Sequence, residues 1–172
     1  INSNSEENNI KHYSNDNGIL SLMYHRFNEN KYPSTNVRME IFKEQMNTIK
    51  NLDYQFYDPS LFISEFDKPK SKKQILITID DGFKSFYTEA WPFLKKNKIP
   101  FILFVSTEPV GKYGYMNWDE IIEIEKSDIG FIGHHSHTHE YLIDMREDEF
   151  INDIETSTKI FKEKLGYVPK IF

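Results

Sequence analysis

At 172 residues, with 38% hydrophobic and 15% aromatic content, the chain suits one folded domain with a real core, not a disordered polymer. Its net charge of -6, with no Lys/Arg-rich block, argues against a nucleic-acid surface, and no apolar run approaches the ~20 residues that cross a bilayer. Cysteine is absent, so any metal must be held by His, Asp or Glu.

Residues 1–17 are polar and rich in Asn, Ser and Glu, and are expected to form a disordered lead-in to a single domain over 18–172. The run Ile19 to Tyr24 has strand length and ends at His25; Asn28 to Asn36, with Pro33, reads as a loop. Phe42, Met46 and Ile49 recur at helical spacing and predict a helix over Met39 to Asn51. A short strand over Tyr54 to Tyr57 and a proline-initiated helix over Pro59 to Phe66 follow. Lys68 to Lys73 reads as a solvated turn, and Ile75 to Ile79 as a strand. Phe83 to Lys96 is helical, with a break or kink expected at Pro92. Further strands are expected over Phe101 to Val105 and Ile129 to Ile132, and a helix over Asp119 to Lys126. A long helix over Glu147 to Leu165, with Phe150, Ile154, Thr158 and Phe161 as its apolar stripe, stops at Gly166, and a new strand begins near Pro169. Strands and helices alternate throughout, and the strands are apolar on both faces, which is the signature of a parallel α/β sheet.

Two clusters carry chemistry. Asp80-Asp81-Gly82 follows an apolar strand, where Gly82 permits a sharp turn that aims both carboxylates at one mouth. Two close carboxylates do not both ionise easily; a cation makes one a ligand and leaves the other as a proton acceptor. The bland alternative is an Asp-Gly turn capping the next helix. Downstream, His134, His135, His137 and His139 fall within six residues. His135 and His139 are four apart, as for a two-His site on a compact turn, whereas His135, His137 and His139 alternate as for a three-His strand; spacing leaves both open. A surface histidine tract is the competing reading.

These motifs resemble the polysaccharide deacetylases of carbohydrate esterase family four. Thr78-Ile79-Asp80-Asp81-Gly82 is similar to that family's Thr-Phe-Asp-Asp-Gly, and His135-Ser136-His137-Thr138-His139 to its His-Ser/Thr-x-x-His. Ile99 to Val105 and Asn117 to Ile121 resemble the segments between, so the similarity runs from about Ile19 to Phe172. The resemblance implies an α/β fold, a distorted (β/α) barrel, incomplete at the C-terminus because no counterpart of the third and later motifs precedes Phe172. It implies Asp80 as general base and Asp81, His135 and His139 as ligands of a divalent metal, zinc first, with His134 and His137 as bystanders. The general acid of the later motifs would lie beyond Phe172.

Met23-Tyr24-His25-Arg26-Phe27 resembles the start of bacterial members acting on exported poly-N-acetylglucosamine, which places His25 at the cleft as a substrate-binding candidate. The implied partner is an N-acetylated polysaccharide, not a nucleic acid, and the implied location is outside the cell or in its envelope. Tyr113 and Tyr115 are candidates for stacking on sugar rings, with ordinary packing or exposure as the default. An unclosed barrel has a free edge, so self-association of the chain is expected. Two other classes remain: an amidohydrolase-like metallohydrolase using His135 and His137, and a carbohydrate-binding protein that keeps the fold without the chemistry.

Overall fold

The computed structural model describes residues 18–65 and 72–172; the expected lead-in and most of the Lys68 to Lys73 turn lie outside them. A five-stranded sheet is built from β1 (Ile19–Tyr24), β4 (Gln55–Phe56), β5 (Gln74–Ile79), β6 (Phe101–Val105) and β7 (Gly130–His134), and every pairing is parallel. The order is β1-β5-β6-β7, with β4 paired to the start of β5. Register sets Tyr24 opposite Ile79, Ile79 opposite Leu103 and Leu103 opposite Ile132, so the strands all end toward one rim. A small parallel pair, β2 (Arg26–Phe27) with β3 (Asn36–Val37), closes the loop after β1.

The strands bury opposite faces differently. Ile75, Ile77, Ile79, Phe101, Leu103, Val105 and Ile132 belong to the main core. Helices α1 (Met39–Asn51), α3 (Trp91–Asn97), α4 (Trp118–Glu125) and α5 (Glu147–Leu165) add Phe42, Met46, Leu94, Ile121, Ile124 and Phe161. The intervening residues Leu76 and Ile102 form a smaller cluster with Tyr57, flanked by Ile19, Phe62 of the one-turn α2 (Phe62–Glu65), Phe104, Phe131 and Ile171. Alternation along the strands then continues this second face into Thr78 and Asp80, Phe104 and Ser106, and Gly133 and His135. The functional candidates therefore sit on the thinly covered face, at the rim.

Local sequence accounts for two of the helix ends. Asn117 and Glu120 form a reciprocal capping box at the start of α4. Gly166 ends α5 at φ 82°, a left-handed conformation that glycine adopts freely. The helix before Pro92 differs in detail from a simple kink. Phe86–Ala90 widens into a π turn, with the Trp91 N–H reaching back to the Phe86 carbonyl, so that Pro92 enters in the first turn of α3. The wide turn accommodates a residue that has no N–H to give.

Four expectations need correction. The loop over Asn28 to Asn36 ends in the unforeseen β2–β3 pair, since a two-residue strand leaves no periodic signal. Strand β7 runs to His134, two residues past the apolar run, because its pairing partner β6 continues to Val105. The buried stripe of α5 is Asp153, Ser157 and Phe161, while Phe150 is exposed. Residues after Pro169 form no strand, although the His134 N–H donates to the Ile171 carbonyl at 2.8 Å, beside the outer edge of β7. At the opposite side of the sheet, β1 pairs with β5 alone and has no strand on its outer side among the described residues, and its Leu20 and Met23 are exposed.

Candidate metal centre and active site

Strand β5 delivers Asp80 and Asp81 to the rim. The Asp80 N–H still pairs with the Tyr24 carbonyl at 2.8 Å, after which Asp81 and Gly82 take φ values of 72° and 73°. Two successive left-handed residues turn the chain back. For Asp81 this conformation carries strain of about 1–3 kcal/mol, of the kind held at functional sites by surrounding structure. That structure is the loop after β6: the Met116 N–H donates to the Gly82 carbonyl and the Lys84 N–H to the Gly114 carbonyl, both at 2.9 Å. Neither carboxylate caps a helix, which removes the plain-turn reading: among the described residues Asp80 Oδ1 and Asp81 Oδ1 are buried without a hydrogen bond.

The histidines come from the end of β7 and the loop beyond it. His134 and Ser136 are almost wholly buried, so this is no surface tract. Ser136 adopts φ 66°, which breaks the strand alternation that would have put His135, His137 and His139 on one face. His137 turns instead to Thr107, with Nδ1 at 2.8 Å from the hydroxyl oxygen. His139, itself at φ 63°, swings back toward His135, their rings 4.9 Å apart. Phe104 lies 6.1 Å from the His135 ring, and any side chain at Gly133 would strike Phe104 at 2.4 Å. Glycine is required there for β6 and β7 to approach.

Asp81, His135 and His139 thus converge, each offering one ligand atom, all within 4.8 Å of one another. Asp81 Oδ1 lies 2.9 Å from His139 Nε2 and 3.4 Å from His135 Nε2. A buried carboxylate oxygen that faces two imidazole nitrogens this closely fits a divalent cation of the zinc class, for which His nitrogen and Asp oxygen are customary donors. Asp80 stays outside the cluster; its Oδ2 is 4.0 Å from His25 Nε2.

The two carboxyls differ electrostatically. Burial raises the Asp80 carboxyl above the ordinary carboxylate range, with the charges of His135 and His25 only partly opposing it. Burial acts on Asp81 in the same sense, but the neighbouring His135 and the charges of His139 and His25 outweigh it and hold Asp81 below that range. Paired carboxyls whose environments push their proton affinities apart are suited to different tasks, one to charge and one to proton transfer.

A cavity of about 260 Å³ opens against the cluster, lined by Asp81, His139, Ser106, Arg26, Tyr32 and Tyr115 among others. Arg26 is clamped between aromatic rings, its guanidinium carbon 3.4 Å from the Phe83 centroid and 4.4 Å from that of Tyr32. Tyr115 packs on Phe83 at 4.9 Å, and burial near Asp81 raises its phenol. Tyr113 is fully exposed and does not line this cavity. A larger hollow, about 460 Å³, adjoins the histidine loop at His137, Asp144 and Asp153 and holds none of the three clustered side chains.

Sequence reasoning passed over Arg26, Ser106, Thr107, Ser157 and Asp153. Ser106 donates to the His135 carbonyl at 2.6 Å. Buried His134 accepts from the Ser136 N–H at Nδ1, 3.2 Å, so its other nitrogen carries the proton toward Ser157 Oγ at 3.0 Å, and burial lowers its proton affinity. One signal was present: Asp153, Ser157 and Phe161 recur at helical spacing, two polar residues in line with a core phenylalanine.

A family model described as "Polysaccharide deacetylase" matches residues 67–172. The poly-beta-1,6-N-acetyl-D-glucosamine N-deacetylase of Staphylococcus aureus (strain MSSA476) is 28% identical over 143 residues, covering 73% of this chain and 49% of that protein. The chain therefore spans about half the length of the curated relatives it matches. The solved structure of IcaB from Ammonifex degensii superposes with a TM-score of 0.80 at 28% identity, covering 90% of this chain and 72% of that one. The Streptococcus pyogenes deacetylase PplD, solved with acetate, gives 0.75 at 22% identity over 88% of this chain and 70% of its own, a likeness of fold alone.

Proposed function

The chain belongs to the polysaccharide deacetylase family, and we propose that it carries the metal-binding and proton-accepting part of a hydrolase that removes N-acetyl groups from an N-acetylglucosamine-type polysaccharide. The observation that carries this reading is the convergence of Asp81, His135 and His139 beside a separate, buried Asp80. In this reading Asp81, His135 and His139 hold a divalent cation, zinc first among candidates. When bound, the cation supplies Lewis acidity, which acidifies water and polarises an amide carbonyl.

The chain's own residues do the rest. Asp80 accepts the proton from the attacking water at its carboxylate, and its burial raises its affinity for that proton. His25, 4.0 Å from Asp80, stands at the cleft edge to orient substrate or the Asp80 carboxyl. The cavity lined by Arg26, Tyr32 and Tyr115 receives the sugar, the aromatic rings offering flat apolar faces and Arg26 its donors. Its size is close to the lower end of ligand pockets, ~300 Å³, which suits one saccharide unit. In this reading the protein works outside the cell or in its envelope, where a polymeric substrate of this kind would be met. His137, bonded to Thr107, is poorly placed for the His-x-His ligation of an amidohydrolase-like site.

Calorimetric titration of the metal-free 172-residue chain with Zn²⁺ tests the reading. One ion per chain is expected, with binding lost in His139→Ala and kept in His137→Ala. Loss in His137→Ala with retention in His139→Ala would overturn the ligand set.

A further inference from the structure

The loop that carries His135 and His139 has no regular secondary structure, yet each of its backbone donors is engaged. The His135 N–H donates to the Val105 carbonyl at 3.1 Å, and Ser136 N–H to His134 Nδ1. The His137 and Thr138 N–H groups donate to Asp153 Oδ1 and Oδ2, at 2.7 and 2.9 Å. The His139 N–H donates to Ser136 Oγ at 3.2 Å. The Thr138 hydroxyl adds a third bond to Asp153 Oδ2, at 2.7 Å.

Asp153 is therefore the one charged group in this set. It sits in the middle of α5, is 4% exposed, and makes all of these bonds to residues between the two clustered histidines. No cation faces it closely enough to form an ion pair among the described residues. Burying a carboxylate without an ion pair is costly and is tolerated only where several donors converge on it. The loop needs such a hold, because Ser136 and His139 both occupy the left-handed region that an unrestrained chain seldom visits.

We infer that Asp153 is a positioning residue of the metal centre: from α5 it clamps the backbone between His135 and His139, and so pre-shapes the two imidazoles to meet Asp81. This rests on the metal-binding reading above and deepens it. The two oxygens of a carboxylate accept from both N–H groups at once. An asparagine has one accepting oxygen and would set an NH₂ donor against the other N–H. The clamp acts on the backbone and leaves the imidazoles free to bind.

The test is Zn²⁺ affinity, together with the visible absorption spectrum of the Co²⁺-substituted protein, in the wild-type chain, Asp153→Asn and Thr138→Val. Circular dichroism checks the fold of each. Asp153→Asn should weaken Zn²⁺ binding by about 10–100-fold, the usual effect of losing an outer support of a metal site, and should alter the Co²⁺ bands, which report ligand geometry. A folded Asp153→Asn with wild-type affinity and an unchanged spectrum would overturn the inference. If Asp153→Asn does not fold, Thr138→Val decides: it withdraws one of the three donors, and an unaltered affinity and spectrum there overturn the inference equally. A wild-type chain that binds no Zn²⁺ would instead overturn the metal reading itself and take this inference with it.

Discussion

The turn at 80–82 and the loop at 134–139 meet at one point, and they are built in opposite ways. The turn leaves acceptors open: among the described residues Asp80 Oδ1 and Asp81 Oδ1 are buried without hydrogen bonds, on a backbone forced through two left-handed residues. The loop closes its donors: every N–H from His135 to His139 has a partner, supplied by β6, by the loop's own side chains or by Asp153 of α5. In the proposed metal site, the difference between Asp81 and the two histidines follows from the ligand types. A carboxylate is poised for a cation by being left unsatisfied, whereas an imidazole is poised by being held still, since only the ring nitrogen has to remain free.

The largest effect that sharpens this contrast belongs to Asp80. In a version of the protein with deacetylase activity, Asp80→Asn should cut acetate release by about 10²–10⁴-fold, the usual contribution of a general base, while Zn²⁺ affinity stays within a few-fold of wild type. Asp81→Asn should lose the metal itself. Equal loss of metal in both variants would show that the two open carboxylates share one role.

Next comes the support beneath the histidine loop. Phe161 is fully buried, 5.1 Å from the His134 ring and 6.0 Å from Trp118. Phe161→Ala should cost about 3–5 kcal/mol in urea unfolding, more than any substitution at the half-buried His135. If it costs under about 1 kcal/mol, the loop is not braced from below.

The smallest effect is a pH dependence. Burial opposes ionisation of Asp153, but the bonds from the Thr138 hydroxyl and the His137 and Thr138 N–H groups prevail and hold its carboxyl below the ordinary range. A carboxyl depressed by folding stabilises the fold above its unfolded value, ~3.9, and that stability is lost as pH falls through the folded value. The stability gap between wild type and a folded Asp153→Asn should therefore be full at neutral pH and shrink below about pH 4. A gap that persists undiminished to pH 2 would mean that Asp153 acts by packing and not by charge.

Much of the fold was legible locally. Met39–Asn51, Phe101–Val105 and Glu147–Leu165 have the bounds that periodicity and Gly166 imply, because apolar spacing and end signals act over a few residues. The Asp80-Asp81-Gly82 and His135 to His139 motifs were also visible as strings, and with them the family. Spacing alone left open the choice between two and three histidines, which only the family resemblance made. Physically that choice depended on a left-handed Ser136, a backbone state imposed by Val105, Thr107 and Asp153, none of which is near in sequence. The role of Asp153 was hidden for a related reason. A polar residue on a helix is expected to face water, and only the packing of α5 against the end of β7 turns it inward. The amino-acid sequence by itself determined the helices, the parallel strands and the set of ligand-type residues, since those follow from short-range covalent and hydrophobic patterning. Which of those residues meet, and which carboxylates stay open, was decided only in three dimensions, where distant backbone groups compete for the same few acceptors.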